Sequence, residues 1–268
     1  MSRAYEKEES GAARNAIAQI LINSRMAAEG RRPVCQDTGI AVVFVKMGMS
    51  VKLEGNLSLQ EVVDEHTRFA ARVPDWSRLP QADFIARGLQ HSSAYARNAI
   101  HSHGGHGNAV LSRFSFEYCR NVEMSVNRWE QRGMLHAIIN IPAAGPVHAI
   151  CVHLNLLQRH RLKQLKRLCQ VIDNEIPSDE PLIIAGDFND WRGKATRLLT
   201  ERLGVKEATY TWSQGHSRTF PAWRPMLALD RIYTRNVGVG AAKVLDGPQW
   251  RRLSDHLPMM VQIDVNDT

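Results

Sequence analysis

The chain has 268 residues, 44% of them hydrophobic, which excludes wholesale disorder and allows one large domain or two small ones. Its net charge of +7 suits polyanionic partners (phosphodiesters, nucleic acid or an anionic membrane surface) without choosing among them. No stretch approaches the ~20 apolar residues of a membrane-spanning helix, and Met1 to Ser10 is polar and acidic rather than a signal core, so a cytoplasmic protein is expected.

Residues 12–29 read as a helix, with Ala13, Ala16, Ile17, Ile20, Leu21 and Ser24 at helical spacing on one face. Gly30 and Pro33 stop it. Ile40 to Val45 reads as a buried strand, and Gly48 and Gly55-Asn56 punctuate the stretch after it. Further on, Val147 to Val152 predicts a strand ending at His153. Residues 156–174 predict an amphipathic helix with Leu162, Leu165, Leu168, Cys169 and Ile172 inward. Leu182 to Ala185 predicts another strand, ending at Asp187, and Leu257 to Ile263 predicts the last. Alternating strand and helix fits a layered α/β architecture.

Four short segments sit at or beside such runs: Leu59-Gln60-Glu61-Val62, Gly186-Asp187-Phe188-Asn189-Asp190, Leu229-Asp230-Arg231-Ile232-Tyr233 and Ser254-Asp255-His256. Together they supply acids that handle a metal or water, an amide, and an imidazole backed by an acid. Phosphodiester hydrolysis needs that equipment: charge neutralisation, an aligned water and a stabilised leaving oxygen. A lone G-D-F-N is a common turn. Its occurrence in order with the other three is what carries weight.

With Pro80 to Ala86, Tyr95 to Ala99, His106 to Arg113, Gly133 to His136 and Val152-His153-Leu154, these segments resemble the endonuclease/exonuclease/phosphatase family over about residues 58–268. Within it the likeness is to bacterial members encoded near cardiolipin synthases. The resemblance implies an α/β (α+β) fold, the four-layer α/β/β/α sandwich of the deoxyribonuclease type. It implies Mg²⁺ or Mn²⁺ held by Glu61 with help from Asp255. Asp187 orients and deprotonates the attacking water, and Asn189, on the same side of the strand mouth, holds that water or the phosphate. His256 meets the phosphoryl oxygen, Asp230 fixes and charges His256, and His153 is a phosphate contact or acid. The implied substrate is a phosphoester, with nucleic acid and a phospholipid headgroup both open.

Asn23-Ser24-Arg25-Met26 and Arg32 to Gly39 carry a second resemblance, over residues 12–65, to the start of class I iron–sulfur fumarate hydratases. It implies Cys35 as one of three ligands to a four-iron cluster. No counterparts of the other cluster cysteines are recognisable, and one thiolate does not hold such a cluster. The chain thus reads as a fusion joined at Leu59 to Val62. Residues 1–57 form a fumarase-like helix–strand appendage, and residues 58–268 form a phosphoesterase domain lacking its family's first strand. The join runs through the strand of Glu61, which is expected to be the least well placed ligand. Two alternatives stay open: a non-catalytic remnant that binds phosphates or an anionic surface and, ranked last, a fumarate hydratase-type lyase. His101, His103 and His106 imitate zinc spacing but read as solvated loop residues. Arg159, Arg161, Lys163, Lys166 and Arg167 read as a solvated helix face.

Overall fold

Apolar runs with β-branched residues become strands that a central sheet collects. The computed structural model describes residues 91–101, 104–142, 144–210, 215–251 and 254–265, together with Val42–Phe44, Ala82, Asp83 and Ala86. The predicted helix at 12–29, Cys35, Glu61 and His103 lie outside the described residues, as do the side chains of His101 and His106.

In chain order, β1 (Val42–Phe44), β2 (Ser92–His101) and β3 (Gly104–Ser112) form one sheet in the order β1-β3-β2. Next come β4 (Phe116–Glu123), β5 (Gly133–Ile141), β6 (Gly145–His153), helix α1 (Gln158–Glu175), β7 (Leu182–Asp187), helix α2 (Lys194–Leu203), β8 (Lys206–Glu207) and β9 (Asp230–Arg235). Their strands build a six-stranded sheet, β4-β5-β6-β7-β9-β8. Finally β10 (Gly238–Val244) and β11 (Met259–Asp264) pair antiparallel.

Two cores flank the six-stranded sheet. On one face Met134, Ile150, Val152 and Ile184 meet Leu165, Leu168 and Ile172 of α1 and Leu199 of α2. On the other face Leu135, Ala149, Cys151 and Ile183 meet Ala94, Ala96 and Val110 of the first sheet and Met259, Val261 and Ile263 of β11. Strand alternation assigns successive residues to opposite faces, so β5 feeds both cores. A helix layer, the six-stranded sheet and a second sheet layer are therefore stacked. Beyond the second sheet the helical positions Ala82 and Ala86 are buried, and the Ser93 hydroxyl donates to Asp83 at 2.5 Å. This is the expected α+β sandwich.

The structure meets some local expectations and corrects others. Within the strand expected over Ile40 to Val45, Val42–Phe44 pairs in parallel with Val110–Ser112 of the second sheet. Helix α1 starts at Gln158 because Leu157, with ψ of 123°, is extended. Arg161 is not on the solvated face but 2% exposed, since it stands four residues before Leu165 and seven before Leu168 on the inward stripe. Cys151 and Cys169 are buried in opposite cores, whereas Cys119 is exposed.

Strand β7 is buried at all six positions and lies between β6 and β9. Its Gly186 has φ of +143°, and a Cβ there would stand 1.9 Å from the Val152 carbonyl oxygen. Glycine is required on both counts. Gly186→Ala is expected to lower stability by at least about 2 kcal/mol, measured as a lower urea midpoint.

Candidate active site

Strand register alone gathers the site. In the parallel β6–β7 pair His153 stands opposite Asp187, and in the antiparallel β7–β9 pair Asp187 stands opposite Asp230. One row across three adjacent strands therefore holds an imidazole and two carboxylates. The His153 Nε2 atom lies 3.5 Å from Asp187 Oδ2.

His256 arrives from the loop before β11. Its Nδ1–H donates to Asp230 Oδ2 at 2.8 Å, and its ring packs on Phe220 at 4.8 Å between centroids. The Thr219 hydroxyl donates to the same Asp230 oxygen. Asp230 Oδ1 is buried and has no hydrogen-bond partner. Asp255, half-buried, precedes His256, and its backbone carbonyl accepts from Ala222 N–H at 2.7 Å.

Asn189 lies just past the strand end expected at Asp187. The strand ends at Asp187, and Asn189 adopts φ of +49° in the left-handed region. Two hydrogen bonds stabilise this turn. Asn189 N–H donates to Asp187 Oδ1 at 2.7 Å, and its side-chain Nδ2 donates to the Leu154 carbonyl at 2.8 Å. The first is an Asx-type turn, which competes with strand continuation. The amide oxygen is the end left to face a water or phosphate.

The charges are interdependent. Burial raises Asp187 above the ordinary carboxylate range and the Asp230 charge adds to this, while His153, His256 and the Asn189 N–H oppose it. For Asp230, burial pushes upward too, but the His256 charge and hydrogen bond, Thr219 and Arg231 leave it lowered. Burial would lower His256, yet Asp230, with Asp187 and Asp255 behind it, raises it to about 10. One acid is thus primed as a base while the other is locked to an imidazolium.

A supporting frame lies beneath the row. Arg231, 1% exposed, donates to the carbonyls of Ala228, Asp230 and Asp190, tying the loops after β7 and before β9. Asp190 Oδ2 accepts Ala195 N–H at 2.5 Å and so caps the start of α2. The buried Arg161 donates to Asn155 and Leu156 carbonyls just past His153. Thr219, Arg161 and the Asn155–Gln164 contact were not foreseen from the sequence. Only Arg161 carried a usable signal, its place on the leucine stripe.

Hard oxygen donors suit a hard divalent cation. Asp187, Asp255, the Asn189 amide and the orphaned Asp230 Oδ1 are of that kind. Among the described residues no three His, Cys, Asp or Glu side chains gather as a ligand set. Asp230 Oδ2 is already occupied by His256 and Thr219, and the expected ligand Glu61 lies outside the described residues.

The sequence model of the Endonuclease/Exonuclease/phosphatase family matches residues 41–256. The chain belongs to that family. It is 42% identical over 207 residues to the uncharacterized protein YbhP of Escherichia coli K12, across 76% of this chain and 81% of that one. Among solved structures it resembles D. rerio TDP2 complexed with a single-strand DNA product, with TM-score 0.56, 16% identity, and coverage of 80% of this chain and 96% of that one. The fumarate hydratase family model matches residues 1–74. A putative L(+)-tartrate dehydratase subunit alpha of Methanocaldococcus jannaschii is 33% identical over 70 residues, 26% of this chain and 25% of that one. The family match begins before residue 58 and includes β1, so the two resemblances overlap over residues 41–74.

The His256 imidazole should stay protonated to about pH 10. The sign follows from a folded pKa above the ordinary 6.5: the ion pair's stabilisation is complete below about 6.5 and is lost as pH rises toward about 10. At the acid end it is lost again as pH falls through the lowered Asp230 value. An NMR titration of the His256 ring checks this, and Asp230→Asn should bring the midpoint well down toward about 6.5.

Proposed function

We propose that the chain is a divalent-metal-dependent phosphoesterase that hydrolyses phosphodiesters in a nuclease- or phospholipase-like way. The observation that carries the reading is the row of His153, Asp187 and Asp230 with His256 clamped to its last member. Family membership supports phosphoester hydrolysis, and the likeness to TDP2 with its single-strand DNA product is compatible with it.

Asp187 is the base. Its buried carboxylate, raised above the usual range, takes the proton of the attacking water as the water oxygen bonds to phosphorus and the ester P–O bond breaks, the leaving oxygen departing and taking a proton from solvent. Asn189, anchored on Leu154, offers its amide oxygen to align that water. Imidazolium His256 donates from Nε2 to a non-bridging phosphoryl oxygen, where negative charge builds. Asp230 holds the ring's other N–H and keeps it charged. His153 contacts the phosphate beside Asp187. Glu61 and Asp255 would hold Mg²⁺ or Mn²⁺, which supplies charge neutralisation at the phosphate.

The test is hydrolysis of a soluble bis-aryl phosphodiester by purified protein with Mg²⁺ or Mn²⁺. The expected result is turnover abolished by EDTA and reduced roughly 10²-fold or more by Asp187→Asn or His256→Ala. No turnover with either metal, or turnover indifferent to both substitutions, would contradict the reading. Phosphate binding without turnover would favour the non-catalytic alternative.

A further inference from the structure

Two loops beside the site carry exposed apolar side chains, among them Trp129, the most exposed large apolar side chain of the described surface. Trp129 is 83% exposed, Leu157 51% and Leu156 39%. Trp129 sits in the turn between β4 and β5, and the leucines lie between β6 and α1. The loops are joined. Leu156 N–H donates to Glu130 Oε1 at 3.0 Å, and Asn127 Nδ2 pairs with His160 Nδ1 at 3.2 Å. They form one projecting tip of an indole and two leucines.

The tip borders the row directly. Leu154 N–H donates to the Asp187 carbonyl, and the Asn189 side chain holds the Leu154 carbonyl. Leu157 follows three residues later, within about 10 Å of chain. Whatever the tip meets is therefore brought close to the reacting centre.

Charge says what it meets. Residues 154–172 contain no acid. Arg159, Lys163, Lys166 and Arg167 are exposed on α1, spaced so as to share its outer face. Arg128 lies over the Trp129 ring at 4.5 Å. Glu130 is the only acid in residues 124–131, and its carboxylate is engaged by Leu156 N–H and, at 3.4 Å, by Arg132. An indole suits the interface between headgroups and acyl chains, leucines suit the acyl boundary, and lysine and arginine suit anionic headgroups. A nucleic-acid strand would use the indole for stacking and the cations for phosphates, but it has no use for two exposed leucines.

We propose that this tip, with the cations of α1 behind it, docks the protein on an anionic lipid bilayer. The active-site row then faces the phosphodiesters of lipid headgroups. The headgroup assignment rests on the phosphoesterase reading, and the docking does not.

The test is flotation of the full chain with phosphatidylcholine vesicles, with and without phosphatidylglycerol. The same samples are assayed on the soluble bis-aryl phosphodiester. The protein should float with the anionic vesicles and not with pure phosphatidylcholine, and added salt should release it. Trp129→Ala with Leu157→Ser should weaken binding about tenfold or more, as should Arg159→Glu with Lys163→Glu. These side chains are exposed, so circular dichroism, melting temperature and turnover of the soluble substrate should be unchanged. Failure to float, flotation indifferent to both pairs of substitutions, or equal flotation on neutral vesicles would overturn the docking. Retention of single-stranded DNA through Trp129 in place of vesicles would overturn it too. Hydrolysis without flotation would sink the docking alone. Tip-dependent flotation without hydrolysis would sink the phosphoesterase reading alone.

Discussion

The site depends on one constraint, the register of three strands. Asp187 has His153 beside it on β6 and Asp230 beside it on β9, so a one-residue slip of either neighbour would turn an acid or imidazole to the wrong face. The register is strongly specified because β7 is buried on both faces. Gly186 lets β6 and β7 approach where any side chain would strike the Val152 carbonyl. Arg231, almost fully buried, then fixes the loops on either side through three carbonyls.

Burial sets the charges of this arrangement as well as its shape. Two carboxylates side by side in a dry setting cannot both carry charge cheaply. The protein resolves the conflict unequally. Asp230 receives His256 and Thr219 and is lowered, whereas Asp187, with a weaker 3.5 Å contact to His153 and the Asn189 N–H, is raised by its burial. Environments that push neighbouring groups apart in this way separate the roles of base and electrostatic anchor. The site also opens beside an apolar, cationic tip, so chemistry and surface properties are coupled through the Leu154–Leu157 segment.

Much of this was legible in the sequence. The apolar runs before His153 and Asp187 announced strand ends, and the acid two residues before Ile232 and the Asp-His pair before the last strand announced partners. What was missed depends on packing or backbone conformation. The left-handed turn of Asn189 follows from its bond to Asp187 and its anchor on Leu154, and one side of that pairing is distant in sequence. Arg161 looks solvent-facing among four other cations, yet it is buried because two backbone carbonyls and Asp190, 3.9 Å away, receive its guanidinium. The buried His136–His148 contact, 2.8 Å across two strands, had no motif to mark it. Likewise, the pairing of Val42–Phe44 with β3 joins segments far apart in sequence, and such pairing leaves no local trace.

If the Asp230–His256 pair is the electrostatic unit of a phosphoesterase, its members must fail together. The most direct measurement is a double-mutant cycle in kcat/KM on the soluble phosphodiester, using Asp230→Asn, His256→Gln and the double variant. The account predicts that the double variant loses about as much as the more damaging single one. Losses that simply multiply would show two residues acting independently and would contradict it.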